Sequence, residues 1–300
     1  MDATSPSGRA PEPSRLATRC LAHGPLDGGN PTAIEGVSIY RRNATSPPVN
    51  AVYERSVFLV AQGRKRCRVG DEAFIYDPDN YLVTSVPLPV ASEILVASPE
   101  RPFLSLAIDF ELEAVRGIMS RAGDVLAPSS TEPPRRGLAS CPVTPPIRDL
   151  AARLVDLLDE PQDIPVLAPL YLEELLYQVL KGPRGGFLRA VAMGRGQQRA
   201  IAEVLATIHA DCTQAFSVAE LASVAGMSES VFYEAFRTVT AATPLQYVKR
   251  LRLQEAHRQL TLGLNNVSGA AYEVGYNSLS QFSREFTRVF GANPSAYLPR

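Results

Sequence analysis

The last hundred residues carry one short pattern twice, about fifty positions apart. The first copy runs from Val218 to Gly226 and on to Phe232 and Phe236; the second runs from Val267 to Gly275 and on to Phe282 and Phe286. Apolar residues stand eight, five, four and one positions before each glycine: Val218, Leu221, Ala222 and Ala225, then Val267, Ala270, Ala271 and Val274. Those offsets mark one face of a helix. Each glycine permits the tight or left-handed turn that must follow. Ser228 and Ser278 then stand where a side-chain oxygen caps a new helix, and that helix buries two phenylalanines four residues apart. The second copy has one extra residue after its glycine, so the second helices are offset by 50 and the glycines by 49. The pattern predicts two helix-turn-helix units, a geometry that lays one helix in a DNA major groove while its predecessor braces it. Taken alone, it also fits a helical bundle whose two hairpins share an ancestor.

The segment joining the units, Pro244 to about Leu262, contains nineteen residues. A straight helix of that length spans roughly 28 Å at 1.5 Å per residue. With the helices it joins, it would set the two reading helices about one DNA turn apart, ~34 Å. Pro244 suits the first turn of this helix and Thr243 its cap.

Charge alone does not announce nucleic acid. The whole chain has a formal net charge of −1, and residues 199–300 hold nine Lys and Arg against eight Asp and Glu. The distribution says more, since Lys249, Arg250, Arg252 and Arg258 cluster on the connecting helix. Cys20, Cys67, Cys141 and Cys212 lie far apart without metal-ligand spacing, so reduced thiols are expected, with no zinc site and no disulfide framework. No run of about 18 apolar residues suggests a membrane span. Residues 1–33 are rich in Pro, Gly, Ser and Ala without an apolar signal core, and read as a disordered tail.

Three hundred residues suffice for two domains with separate cores. Residues 37–110 read as β, with short runs at Val52–Ala61, Arg64–Val69, Ala73–Tyr76, Tyr81–Val86, Glu93–Val96 and Phe103–Phe110 separated by turn signals. In the last run Leu104, Leu106, Ile108 and Phe110 share the inward face. Glu111–Arg121 reads as helix. Residues 128–146 hold six prolines and read as loop. Ile147–Leu158 and Val166–Lys181 are amphipathic helices; in the second, the stripe of Leu172, Leu175, Leu176 and Val179 suits either packing on the β domain or dimerisation. The glycines at 182–186 and 194–196 suggest a flexible lead into the last domain.

The stretches Pro244 to Leu260 and Val274 to Phe286, followed by Phe290 to Pro294, resemble the connecting helix and second unit of AraC-type transcription regulators. That resemblance covers roughly residues 197–298. A second one covers roughly residues 37–125, where Phe58 to Arg66, Tyr81 to Val90 and Ala97 to Pro102 resemble the N-terminal sensor domain of one AraC subgroup. The resemblance implies an α+β chain: a cupin-like β-barrel or sandwich with flanking helices over 34–125, then the Pro-rich loop, amphipathic helices and linker over 126–196. An all-α, seven-helix double helix-turn-helix domain follows over 197–300. It implies a cytoplasmic DNA-binding regulator rather than an enzyme. Double-stranded DNA would be its partner, with RNA polymerase, a small-molecule effector and a second copy of the chain as further partners.

If Phe232 and Phe236 point inward, Ser230, Tyr233 and Glu234 point away, and the equivalents in the second unit are Ser280, Ser283 and Arg284. The family's base-contacting positions fall on these same residues. Arg284 is the sharpest candidate, because Arg grips guanine O6 and N7 with two hydrogen bonds. Glu234 is unusual beside DNA: it accepts from cytosine N4 or else repels phosphate, so the second unit is expected to discriminate more. Arg237, Lys249 and Arg250 are phosphate candidates, with a solvated helix face as the alternative.

For the β domain, the resemblance implies effector binding inside the barrel, where Phe58, Val60, Tyr81, Val83, Leu95 and Leu106 are candidate lining residues. Plain core is the competing reading for each. Arg64, Arg66 and Arg68 alternate on one strand and share a face, suited either to an acidic effector or to solvent. The three histidines, His23, His209 and His257, fall outside the predicted strands, so no metal or other cofactor is expected. The alternative role for the β domain is dimerisation or binding a partner protein.

Overall fold

The computed structural model describes residues 13–126, 136–193 and 197–299. The N-terminal half begins with α1 (Arg15–His23), followed by β1 (Gly28–Pro31), β2 (Val37–Arg42), β3 (Val49–Tyr53), β4 (Ser56–Gln62), β5 (Arg64–Val69), β6 (Glu72–Tyr76), β7 (Asn80–Thr84), β8 (Leu88–Val96) and β9 (Phe103–Asp109). Then come α2 (Leu112–Ala122), β10 (Leu138–Pro142), α3 (Pro145–Asp156), α4 (Ile164–Lys181) and α5 (Gly185–Ala192). The C-terminal half is helical: α6 (Gln197–Ala210), α7 (Val218–Val224), α8 (Glu229–Thr240), α9 (Pro244–Thr261), α10 (Val267–Glu273) and α11 (Leu279–Phe290). The seventh element expected there is a 3-10 turn, Pro294–Tyr297.

The strands form two antiparallel sheets, six-stranded β1-β2-β9-β4-β7-β10 and four-stranded β3-β8-β5-β6. This is a sandwich; the barrel of the expected pair of forms is not closed. Proline explains part of this, because Pro31 and Pro142 sit in the two edge strands and donate nothing to a further ladder. Where β6 and β10 approach, a side-chain bond from Ser140 Oγ to Ile75 O (3.2 Å) replaces backbone pairing.

Strand period sorts the residues by face. On β4, Val57, Leu59 and Ala61 enter a core made with helices α1 to α5, and so do Leu104, Leu106 and Ile108 of β9. Phe58 and Val60 turn the other way, toward Tyr53, Cys67, Val90 and Ile94 of the second sheet. The single run expected over Val52–Ala61 breaks after Tyr53, and its halves join different sheets.

Two further expectations are corrected and a third is narrowed to one of its alternatives. The stretch expected to be a disordered tail contains α1 and β1, although its first twelve residues lie outside those described. Leu16, Ala17 and Cys20 bury against the first core, and Ser14 Oγ accepts the Ala17 N–H at 3.1 Å; one capped, three-residue stripe suffices for a helix that docks. Within the Pro-rich stretch, Leu138–Pro142 pairs with β7 and Pro145 opens α3 from its first position. Finally, Leu175, Leu176 and Val179 of α4, with Leu172 beside them, pack into the first core, whereas Val166 and Leu170 stay exposed. Residues 194–196 lie outside the described residues, but α5 is firmly seated through Phe187 and Leu188.

The second core crosses from the sheet to the C-terminal helical half. Val86, Leu88 and Leu138 share it with Ile201, Leu205, Phe236, Val239 and Tyr247. Polar contacts reinforce the junction. Arg136 Nη1 donates to the carbonyls of Arg237 and Thr238 (2.9 Å each), and Gly137 N donates to Val239 O (3.3 Å). The Tyr247 hydroxyl donates to Pro87 O (3.1 Å) and lies 2.7 Å from His209 Nε2. Burial pushes the His209 pKa down to about 4, so this imidazole is neutral near pH 7. Asn50 Nδ2 donates to Val289 O at 2.7 Å. The C-terminal ends of both α8 and α11 are thus held by the β domain.

Candidate nucleic-acid interface

Both repeated units form as helix, turn and helix. In the first, Ser217 and Glu220 make a reciprocal capping box at the start of α7. The chain turns at Gly226 (φ +63°), and Met227 N closes the turn onto Ala222 O at 3.0 Å. In the second, Asn266 caps α10, Gly275 turns at φ +83°, and Tyr276 N donates to Ala271 O at 3.0 Å. The expected caps differ in one respect. Ser278 accepts from Gln281 N, but Ser228 occupies the cap position of α8 without a cap hydrogen bond. Thr243 and Gln246 form a capping box on α9, with Pro244 in its first turn.

The four phenylalanines are fully buried at 0 % exposure, and this fixes the outward faces. On α8, Ser230 and Glu234 are exposed and Tyr233 is half-buried; on α11, Ser280 and Arg284 are exposed and Ser283 is half-buried. The structure therefore gathers each predicted triplet on the open side of its own helix. Among the described residues, Tyr233, Glu234 and Arg284 enter no ion pair, so these groups meet solvent unpaired.

The phosphate candidates part company. Arg237 is exposed on α8 and its guanidinium enters no ion pair among the described residues. Lys249 Nζ is bound to Glu285 of α11 at 3.1 Å. Burial of that carboxylate would raise its pKa, but hydrogen bonds from Gln281, Tyr276 and Lys249 outweigh burial and hold it below the usual value. Arg250 points toward the β domain, beside Arg288 and Arg68.

Arg252, read from sequence only as one more cation on the connecting helix, ties the two units together. Its guanidinium donates to the carbonyls of Cys212 (2.7 Å), Thr213 (3.0 Å) and Gln214 (2.8 Å), just before α7, and to Gly275 O (3.3 Å) in the second unit's turn. Gly275 is required here twice over: its φ is positive, and a Cβ would stand 3.0 Å from Thr213 O. The α9 helix itself has 18 residues, or roughly 27 Å at 1.5 Å per residue.

The β-domain candidates do not converge on one pocket. Phe58 and Val60 face the second sheet, Tyr81, Val83 and Leu106 belong to the core under the helices, and Leu95 is half-buried on β8. Val60 borders a cavity of about 20 Å³, room for about one water. The residue that faces inward between the arginines is Lys65, whose Nζ lies 4.8 Å from the Tyr40 ring centre and 5.4 Å from that of Tyr53. In sequence Lys65 carries no signal that separates it from the alternating arginines around it. That row is partly neutralised outside: Arg66 and Arg68 meet Glu93, and Arg64 lies 3.5 Å from Asp77. Among the described residues no three His, Cys, Asp or Glu side chains group to hold a metal ion, and no helix is long and apolar enough to cross a membrane.

Residues 33–187 match the family model of the AraC-type transcriptional regulator N-terminus, and residues 221–300 match that of a helix-turn-helix domain. The regulator ExsA of Pseudomonas aeruginosa is 23% identical over 243 residues, covering 81% of this chain and 85% of its own. An AraC-like transcription regulator of Streptomyces antibioticus is 38% identical over 97 residues, and the match spans only 32% of its length. ToxT of Vibrio cholerae has the same fold, with a TM-score of 0.61 over 87% of this chain and 96% of that one at 14% identity. The matched N-terminal model spans more than half of the chain and the doubled helix-turn-helix completes it: this chain belongs to the AraC-type family of DNA-binding transcriptional regulators.

Proposed function

We propose that the protein reads an asymmetric operator with two helices on one duplex face. Ser230, Tyr233 and Glu234 of α8 and Ser280, Ser283 and Arg284 of α11 would meet base edges in successive major grooves. The observation that carries this reading is the outward placement of both triplets opposite four fully buried phenylalanines. Arg284 would contribute most to discrimination, and Arg237 would contact phosphate. Lys249, held by Glu285, and Arg250, turned to the β domain, would contribute less to phosphate binding in this arrangement. Replacing Arg284 by Ala is expected to weaken operator binding about 5- to 150-fold, the 1–3 kcal/mol of a good Arg–guanine pair, with far less effect on random duplex. Titrating both duplexes at one salt concentration checks this; equal losses would make Arg284 a phosphate contact.

The β domain would act as the control element through a small effector. Its grip on the ends of α8 and α11 supports this, because a ligand acts only by favouring one arrangement over another. ToxT has been solved bound to an unsaturated fatty acid and to (E)-4-(8-methylnaphthalen-1-yl)but-3-enoic acid, which gives small organic acids precedent within this fold. A second reading has its own observation. Val166 and Leu170 of α4, 67% and 56% exposed and one turn apart, offer an apolar strip for a second copy of the chain or for a partner protein such as RNA polymerase. In this reading the sensor domain would run from residue 34 to 125 and the DNA-binding domain from 197, with the helices between them mediating both contacts.

A further inference from the structure

The outer face of the four-stranded sheet and the DNA-binding half enclose a cavity of about 360 Å³. Asn50, Ala91 and Arg68 stand side by side in register on β3, β8 and β5 and form one wall. Arg250 and Gln254, one turn apart on α9, and Arg288 near the end of α11 form the other. Three guanidinium groups from three elements thus border one space, and among the described residues no carboxylate lines it. Among the described residues Arg250 and Arg288 enter no ion pair, and Arg68 has only a distant contact, 3.9 Å, with a carboxylate already held by Arg66. Guanidinium forks of this kind are the protein's usual means of holding carboxylate and phosphate. Asn50 already binds the last turn of α11 at the cavity's edge, so an occupant would touch both the sheet and a reading helix.

We propose that this cavity binds a small multivalent anion, a phosphate ester or a di- or tricarboxylate, and that the bound anion weakens operator binding. The inference rests on the effector-control reading and gives it a place and a chemical class. The sign follows from charge. Residues 199–300 hold only one more basic than acidic residue, so a multivalent anion held by Arg250 and Arg288 turns the net charge of that half negative and weakens its long-range attraction to DNA, without either arginine having to touch a phosphate. A space of about 360 Å³ between sheet and helices holds a small ion rather than a duplex.

The test uses the full chain and an operator selected from random duplexes. Affinity is measured in sodium pyrophosphate, in sodium citrate and in sodium chloride at equal ionic strength, for the wild type and for Arg68→Gln. Arg68 lies on the sheet and is none of the residues placed against DNA, so the variant keeps its affinity in chloride. The expected result is a roughly tenfold loss in pyrophosphate for the wild type, a slope change of about one to two neutralised contacts, and less than twofold for Arg68→Gln. Citrate acting alike assigns the site to carboxylates as well as phosphates; pyrophosphate acting alone assigns it to phosphates. Equal losses in both proteins, or none in either, overturn the proposal. A metabolite pool that raises the Tm of wild type and Arg68→Gln equally would also overturn it, while leaving effector control elsewhere in the β domain standing.

Discussion

Phe286→Ala is expected to unfold the second reading unit and leave the first in place. Phe286 has no exposed surface and sits within 5.6 Å, centre to centre, of Phe282, Phe290 and Tyr297. Truncating a buried phenylalanine costs about 3–5 kcal/mol. The second unit has little to absorb that loss, because its core is a separate cluster around Leu253, Leu260, Val274 and Phe282. The first unit differs: Phe236 lies in a core continuous with the four-stranded sheet. Hydrogen exchange separates the two cases. Phe286→Ala should open amides over 267–298 while 201–248 stay protected, and operator affinity should fall at least about a hundredfold as one of two linked heads is lost. Phe236→Ala should lower the unfolding midpoint of sheet and first unit together. Uniform loss of protection in both variants would mean the cores are not separable.

Arg252→Ala is expected to cost the next most in stability, and to change binding in a different way. The guanidinium bonds four carbonyls, three before α7 and one in the turn of the second unit. Hydrogen bonds from a charged donor contribute about 1.5–3 kcal/mol each where well formed; solvent reaches part of this side chain, so a total of about 2–3 kcal/mol is reasonable. Each unit keeps its own core, so a single half-site should bind nearly as before. The two-site operator should lose about tenfold, because the second head no longer arrives pre-placed. Operators with one base pair added or removed between half-sites should then bind almost as well as the original. A variant that weakens both half-sites and keeps its spacing preference would show that Arg252 acts only within one unit.

The double unit was legible because its signals are local: apolar spacing, a glycine, a cap and a phenylalanine pair all fall within nineteen residues of each other. The sandwich was legible as strands but not as sheets, because pairing is long-range; nothing local separates Tyr53 from Ser56, yet they join different sheets. The helix α1 was hidden by its setting, since three buried residues make a faint stripe among prolines and glycines. The face of a side chain follows from strand period only once the sheet's two sides are known. This is why strand period alone groups Phe58 with Tyr81, although they face different cores. Arg252 carried no signal of its own: in sequence it is one cation in a cluster, and only tertiary contact separates it from Arg250 and Lys249.

The central claim is that one chain sets two reading helices, α8 and α11, on one face of one duplex. Hydroxyl-radical footprinting of the full chain on a selected operator tests it most directly. The account predicts two protected patches about one helical turn, 10–10.5 base pairs, apart on the same face. In Phe286→Ala one patch should disappear. A single patch for the wild type, or two patches on opposite faces, would contradict it.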